Sequence, residues 1–204
     1  MGFATFAVAT LLLNLTPGPD MMYVIARSLG QGRRAGILSA LGIGAGCLVH
    51  AAAATLGLAA LLKSWPFAYE IVRYAGAGYL VYLGVRMLMR RRASATPETL
   101  PEARAAAIFR QGVITNVLNP KVALFFLAFL PQFVSPARGA IGWQMAVLGL
   151  YFDLSGTAVN LAVALLAGAA GNFLRSGRRL ALAERSGGAV LIALGLRVGL
   201  ARSS

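Results

Sequence analysis

The stretch Asn14-Leu15-Thr16-Pro17-Gly18-Pro19-Asp20 interrupts an otherwise apolar N-terminal segment. Proline has no backbone N–H and its ring clashes with the preceding turn, so two prolines and a glycine break a helix here. In hydrocarbon, every backbone group that such a break frees needs a protein partner or a water-filled cavity. A helix broken at membrane depth and followed by a carboxylate therefore predicts a solute or ion site.

The composition indicates a membrane protein. Of the 204 residues, 58% are hydrophobic and only 12% are charged, and the mean hydropathy of +0.73 is far above that of an ordinary soluble domain. The net charge of +13 raises the alternative of nucleic-acid binding. The arginines, however, gather in three short clusters between apolar runs, which is the pattern of cytoplasmic membrane loops. We therefore expect a lipid bilayer as partner and no nucleic acid.

Six apolar runs are each long enough for a transmembrane helix, which takes about 20 residues. They lie at about 3–26, 37–62, 65–87, 111–132, within 142–173, and 182–200. The first is broken near Pro17, and the fifth is longer than one crossing, which indicates either tilt or an interfacial turn. The loops after spans one, three and five carry 13 basic residues against three on the other side. This asymmetry predicts that both termini lie outside.

The two halves of the chain resemble each other. Asn14-Leu15-Thr16-Pro17 is echoed by Asn116-Val117-Leu118-Asn119-Pro120, and Gly76, Gly84 and Arg86 are matched by Gly187, Gly195 and Arg197 at a constant offset of 111. Three spans per half is an odd number, so the second half is inverted relative to the first. The alternative is chance similarity in a sequence rich in glycine and alanine.

These observations predict an all-α integral membrane protein of six transmembrane helices. The helices form two inverted three-helix repeats in which helices 1 and 4 are broken. We expect a single transmembrane transporter domain over 1–204, with one half at about 1–92 and the other at about 110–204. The polar stretch at about 93–109 is interpreted as a cytoplasmic linker between the halves.

Two charged residues follow the breaks. Asp20 is interpreted as a proton carrier or an ammonium ligand; the alternatives are an N-cap of the second half-helix or an interfacial residue near Arg27. Lys121 is the only charged residue between Gln111 and Ala137. We expect it to pair with Asp20, with Asp153 or with a substrate carboxylate.

Polar residues next to these charges complete the candidate site. The amides of Asn116 and Asn119 satisfy the backbone groups freed by Pro120 or bind substrate, and the sequence leaves both open. Asp153, Thr157 and Asn160 follow at helical spacing and predict a polar stripe that faces the interior or a cavity.

Other residues are open to a structural interpretation. His50, the only histidine, is either a hydrogen-bonded core residue or a proton relay. Gly42 and Gly46 have the GxxxG spacing of close helix packing, within the bundle or across a dimer. Glu70 and Arg73 are expected to pair on span three. The single Cys47 supports neither a disulfide nor a thiolate site, and we expect no cofactor and no metal ion.

Two long motifs resemble those of the LysE/RhtB family of amino-acid exporters. The first is Thr16-Pro17-Gly18-Pro19-Asp20 with Arg27-Ser28-Leu29-Gly30-Gln31-Gly32-Arg33-Arg34-Ala35-Gly36, and the second is Asn116-Val117-Leu118-Asn119-Pro120-Lys121 through Leu130-Pro131-Gln132-Phe133. The resemblance implies a multi-pass protein of the inner (plasma) membrane that exports amino acids or related metabolites, driven by the proton gradient.

The sequence thus predicts a secondary transporter with an amino-acid substrate and protons as partners. Its scarcity of acidic residues favours neutral amino acids, and a homodimer is left open. The alternatives are an integral-membrane enzyme of lipid metabolism, which generally needs a cluster of His and acidic residues that is not visible here, and an assembly subunit without transport activity. The expected substrate and proton pathway consists of Asn14, Thr16, Pro17, Gly18, Pro19, Asp20, His50, Asn116, Asn119, Pro120, Lys121, Asp153 and Asn160.

Overall fold

The regular secondary structure of the described residues is helical throughout. The computed structural model describes residues 2–58, 100–135 and 138–167, the helical backbone of 177–200, and separate helical positions between 71 and 89. Seven α-helices have defined bounds: α1 Phe3–Leu15, α2 Pro19–Gln31, α3 Arg33–Ala53, α4 Ala105–Val117, α5 Pro120–Leu124, α6 Ile141–Leu165 and α7 Gly177–Leu200.

Both expected helix breaks are confirmed. Between α1 and α2, Thr16 and Gly18 have extended backbones, and Pro19 is the first residue of α2, where its missing N–H costs nothing. Between α4 and α5, Asn119 is extended and Pro120 again begins the new helix. The chain bends by 46° at this second break. The same local chemistry therefore divides the first and fourth predicted spans.

Among the described residues, two unbroken helices are long and apolar enough to cross a membrane, at Arg33–Gly57 and Ile141–Leu165. The bent pair Ala105–Val117 and Pro120–Phe133 makes a third if it is counted as one span, and α1 is a shorter apolar helix. The two unbroken helices coincide with predicted spans two and five, and the bent pair coincides with span four. Helix α1 coincides with part of the first predicted span. Predicted span three and the Glu70–Arg73 pair fall largely outside the described residues, and the six-span count stays a prediction.

Several predicted boundaries need correction. Helix α4 begins at Ala105, so the last residues of the predicted linker, 105–109, are helical and the described part of the linker ends at Arg104. Helix α3 begins at Arg33 rather than near 37, directly after Gly32, whose positive φ of 83° favours glycine. Helix α6 ends at Leu165 and Leu166 forms a turn. Tilt or an interfacial turn for the rest of span five stays a prediction, because residues 168–173 lie outside the described part of the chain.

Helix α3 lies at the centre of the described bundle and packs on α4, α2 and α6. Its glycines allow close approach: a Cβ on Gly46 would lie 2.7 Å from the Val113 carbonyl oxygen, and one on Gly112 of α4 would lie 2.8 Å from that of Ser39. A Cβ on Gly42 would overlap the Phe109 carbonyl. The GxxxG spacing thus serves packing within one chain, since small residues let the backbones meet.

A cluster of aromatic rings fills the end of the bundle where α1 and α6 begin. Its buried members are Phe6, Phe125, Phe126, Phe129 and Phe152. The rings of Phe125 and Phe152 stack with centroids 4.0 Å apart. The segment after α5 reaches this cluster as a π-helical turn, Phe125–Phe129, followed by a 3-10 turn, Leu130–Phe133. The segment that follows the second break is therefore anchored in this aromatic cluster.

Two glycines from the matched halves contact each other's helix in the same way. A Cβ on Gly84 would lie 2.5 Å from the Gly188 carbonyl, and a Cβ on Gly195 would lie 2.7 Å from the Ala77 carbonyl. Under the offset of 111, Ala77 corresponds to Gly188 and Gly84 to Gly195, so each contact is the image of the other. Along these contacts the residue numbers increase on one helix as they decrease on the other. The two helices are therefore antiparallel here. An inverted repeat predicts such a reciprocal crossing.

Candidate functional site

The two helix breaks line one cavity together with α3 and α6. Its volume is about 40 Å³, which accommodates about three water molecules at roughly 10–15 Å³ each. The wall is formed by Asn14, Thr16, Gly18, Asp20, Met21, Ile43, Cys47, Asn116, Asn119, Lys121, Val122, Phe152, Asp153, Gly156, Thr157 and Asn160. Most of the residues expected from the sequence are thus brought to one place by three separate segments, the two breaks and α6.

Asp20 contributes the carboxylate of the first break. It is the second residue of α2, and its Oδ2 accepts a hydrogen bond of 2.9 Å from Nδ2 of Asn116, across the second break. Its Oδ1 is buried and has no hydrogen-bond partner in the described structure. The N-cap alternative is wrong, because Gly18 occupies the cap and no side chain bonds there. Arg27 lies about 10 Å further along the helix axis.

Lys121 contributes the ammonium of the second break. Its Nζ donates a hydrogen bond of 2.8 Å to the carbonyl oxygen of Thr16. In an unbroken helix this carbonyl would accept from the N–H four residues on, so the lysine satisfies an acceptor that the first break freed. No direct ion pair joins Lys121 to Asp20 or Asp153 among the described side chains, and pairing with a substrate carboxylate stays a prediction. Gly18 lies beside the lysine, since a Cβ at this position would lie in ordinary van der Waals contact with Nζ, at 3.6 Å.

The two asparagines of the second break have different contacts. Oδ1 of Asn119 accepts from the backbone N–H of Lys121 at 3.0 Å and caps α5, which is the structural role. Asn116 is 2% exposed and faces Asp20, and its own Oδ1 has no partner in the described part of the chain. The sequence left two roles open for these asparagines. Asn119 supports the backbone, whereas Asn116 is part of the candidate site.

His50 lies behind the cavity wall. Its Nε2 is 3.1 Å from the carbonyl oxygen of Asn116, and its ring lies parallel to Phe126 with centroids 6.0 Å apart. These contacts are those of a hydrogen-bonded core histidine. Pro17, Pro19 and Pro120 likewise shape the breaks without lining the cavity.

Helix α6 supplies the polar stripe expected from its spacing. Asp153, Thr157 and Asn160 all line the cavity. Asp153 is 8% exposed, and Oγ1 of Thr157 donates a long hydrogen bond of 3.4 Å to its Oδ1. Gly44 of α3 lies opposite, where a Cβ would come within 2.6 Å of the Thr157 hydroxyl oxygen. The lack of a side chain at Gly44 therefore leaves room for the polar stripe of α6.

Asn14 connects the first break to α6 through side-chain hydrogen bonds. Its Nδ2 donates to the carbonyl oxygen of Phe152 at 3.3 Å and to Oγ of Ser155 at 3.0 Å. A Cβ on Gly156 would lie 3.2 Å from the Asn14 amide oxygen, so the glycine permits this approach. Asn14 thus lines the cavity while its amide N–H groups hold two helices together.

The sequence interpretation missed the apolar part of the wall. It consists of Met21, Ile43, Cys47, Val122 and Phe152. Three of them, Met21, Val122 and Phe152, are next to a charged lining residue in the sequence. Ile43 and Cys47 share a face of α3 at i and i+4. That adjacency is a weak signal, because apolar residues are abundant on every face of these helices.

Arg27 is buried and not a loop residue, contrary to the count of loop charges. It is 3% exposed, and its guanidinium donates to the side chains of Gln31 and Gln111 and to the Pro101 carbonyl. Tyr23 donates to the Ile108 carbonyl at 2.9 Å. We call Tyr23, Arg27, Gln31 and Gln111 the Arg27 cluster. It joins α2, α4 and the end of the linker.

Apolar helices that match membrane thickness, two of them broken around a buried polar cavity, define a membrane protein with a polar site inside its helix bundle. The chain belongs to the LysE type translocator family, whose sequence profile matches residues 11–202. The family resemblance inferred from the motifs is thereby confirmed. The chain is a transporter and not an enzyme.

Individual relatives agree with this assignment. The chain is 32% identical to a leucine efflux protein of Salmonella choleraesuis over 157 residues, 76% of this chain and 73% of the relative. It is 31% identical to a leucine efflux protein of Enterobacter sp. strain 638, over 76% of this chain and 74% of the relative. An uncharacterized membrane protein of Pseudomonas aeruginosa is 32% identical over 99% of this chain and 96% of its own length. No solved structure matches the chain.

Proposed function

We propose that this protein exports a neutral amino acid across the inner membrane in exchange for protons, with the cavity between the two breaks as its binding site. The observation that carries the proposal is the pair of opposite charges on the cavity wall. Asp20 comes from one break and Lys121 from the other. Membership of a translocator family and the relatives named for leucine efflux support the substrate class.

The two charges are complementary to the head group of an amino acid. The unpartnered Oδ1 of Asp20 offers an acceptor to the substrate ammonium. The Lys121 ammonium, which now bonds the neutral carbonyl of Thr16, gains a stronger partner when a substrate carboxylate arrives, because charge-assisted hydrogen bonds are roughly twice as strong as neutral ones. A substrate with both groups therefore satisfies both ends of the site at once.

The remaining wall suits an aliphatic side chain. Met21, Ile43, Val122 and Phe152 line the cavity beside the charged pair. A volume of about 40 Å³ holds about three waters, which is less than an amino acid with an aliphatic side chain requires. Binding therefore includes separation of the half-helices around the cavity, and the breaks are where the backbone has the freedom to move.

Alternating access follows from the expected symmetry. In inverted repeats, the site lies where broken helices of the two halves meet, and each half opens one side in turn. The reciprocal contacts of Gly84 and Gly195 support such a relation between the halves. With both termini outside, as the loop charges predict, α2 and the Arg27 cluster lie on the cytoplasmic side and the aromatic cluster lies on the outer side.

The test is substrate flux in proteoliposomes that contain the purified protein. Vesicles preloaded with labelled leucine, and others with labelled lysine or glutamate, are followed with and without a pH gradient, before and after an uncoupler. We expect leucine flux that the gradient accelerates and the uncoupler abolishes. Replacement of either charge, by Asp20→Asn or Lys121→Met, is expected to reduce flux at least tenfold.

The matched control is Glu102→Gln, which makes the same carboxylate-to-amide change on the exposed linker. Its flux should equal that of the wild type, and all variants should elute as monodisperse protein. Wild-type protein that moves none of the labelled amino acids would overturn the substrate assignment. Unreduced flux in Asp20→Asn would overturn the role given to the cavity.

A further inference from the structure

We infer that Asp153 is the residue that binds the exchanged proton, while Asp20 serves the substrate ammonium. This assignment deepens the proposed function and rests on it. It separates the two carboxylates of the cavity by their surroundings, which differ in the length of the hydrogen bond that each accepts and in helix position.

The starting point is the charge count of the cavity wall. Among the lining residues, two carboxylates, Asp20 and Asp153, face one ammonium, Lys121. An unbalanced charge in a low-dielectric interior is costly. A proton on one of the two carboxylates restores neutrality, so the empty site has a place for one exchangeable proton.

Asp20 is the carboxylate that is better stabilised in its charged form. It lies in the first turn of α2, where the helix dipole favours negative charge. The Asn116 amide also donates to it at 2.9 Å. Protonation of Asp20 would remove the charge that the dipole stabilises and would weaken the charge-assisted bond from Asn116.

Asp153 has neither of these supports. It lies at the middle of the 25-residue α6, far from either helix end, and its hydrogen bond from Thr157 is long, at 3.4 Å. A hydroxyl can donate or accept, so Thr157 serves the protonated and the ionised carboxyl equally well. The proton therefore binds at Asp153 with the smallest loss of other interactions.

The groups that surround Asp153 are compatible with proton binding at this residue. Helix α3 contributes Cys47 and α1 contributes the non-titratable Asn14, while the charges of Asp20 and Lys121 lie on the other two wall segments. The ring of His50 bonds the Asn116 carbonyl and does not line the cavity. The step itself is proton binding alone: the carboxylate accepts one proton from the outer side and releases it to the cytoplasm, with no electron transfer.

The test separates exchange from coupling with Asp153→Asn, whose amide has nearly the shape of the carboxylate but cannot gain or lose a proton. Labelled leucine is exchanged against unlabelled leucine across proteoliposomes at equal pH, and in parallel it is accumulated under an imposed pH gradient. We expect Asp153→Asn to lower the ratio of gradient-driven accumulation to exchange at least tenfold relative to the wild type. Asp20→Asn should lose both reactions, and Asp153→Glu should recover part of the accumulation.

The outcomes that overturn the inference are distinct from those that overturn the proposed function. Gradient-driven accumulation by Asp153→Asn at the wild-type level would refute the assignment and leave proton antiport standing. Loss of exchange and accumulation together, in monodisperse protein, would place Asp153 in substrate binding instead. Wild-type protein that exchanges leucine without any response to pH would refute antiport itself, and this inference with it.

Discussion

Replacing Gly46 by alanine tests whether helix packing sets the geometry of the cavity. The added Cβ would lie 2.7 Å from the Val113 carbonyl oxygen and 2.9 Å from Cβ of Asn116, whereas ordinary contacts begin at 3.4 Å. Helices α3 and α4 must therefore separate by about 0.5–0.7 Å, the difference between these distances. Because Asn116 is itself one of the atoms in the way, the shift is transmitted directly to the Asp20 contact.

The expected cost follows from two opposing effects. Overpacking costs about 1–3 kcal/mol, while exchange of glycine for alanine inside a helix returns up to about 1 kcal/mol. The net loss of about 1 kcal/mol lowers the melting temperature by about 2–4 °C in a chain of this size. Transport suffers more, because a misplacement near 1 Å at a positioned group costs up to about 100-fold. We expect a 10- to 100-fold loss of leucine flux.

Thermal unfolding in detergent and proteoliposome flux measure the two effects separately. The control is Gly30→Ala in α2, because no atom lies within 4 Å of a Cβ at that position. It should leave flux unchanged and raise stability slightly. Wild-type flux in Gly46→Ala would refute the argument that close packing of α3 on α4 positions Asn116.

Three further predictions concern the clusters and the substrate head group. Arg27→Met removes several buried hydrogen bonds of the Arg27 cluster at about 1 kcal/mol each, so unfolding in detergent should come about 4–12 °C earlier; an unchanged melting temperature would contradict the cluster's structural role. Phe125→Ala leaves a cavity among the aromatic rings and should cost about 3–5 kcal/mol, while the order of preference among amino acids stays the same, as competition assays would report. Leucinamide, which lacks the carboxylate partner of Lys121, should compete with leucine at least tenfold more weakly; equal competition would exclude Lys121 from carboxylate binding.

The helix breaks were predictable because their cause is local. Pro17, Pro19 and Pro120 lack the N–H that an unbroken helix needs, and this holds whatever the tertiary structure. The polar stripe of Asp153, Thr157 and Asn160 was predictable for a similar reason, since helical spacing alone puts these residues on one face. Each of these expectations depends on residues that are close together in the sequence.

The partners of the charged residues were not predictable in this way. The bond from Lys121 to the Thr16 carbonyl joins residues 105 positions apart. Its acceptor is a backbone oxygen, so the residue type at position 16 does not predict the bond. Arg27 looked like a loop charge because it precedes Arg33 and Arg34, yet two of its acceptors come from distant residues, Pro101 in the linker and Gln111 in the other half. Contacts of this kind depend on the three-dimensional arrangement of the helices.

The bond between Lys121 and Thr16 makes the two bends of the chain mechanically dependent. Each break taken alone is a hinge with its own freedom, but a contact that joins them reduces two independent motions to one shared motion. To open on one side only, the molecule must first give up this bond. A ligand carboxylate that binds the Lys121 ammonium would replace the Thr16 carbonyl as its partner. Binding of the ligand would then free both hinges at the same time. The hydrogen bond from Lys121 to the Thr16 carbonyl thus links the first break to the second, so that a group which displaces it acts on both hinges at once.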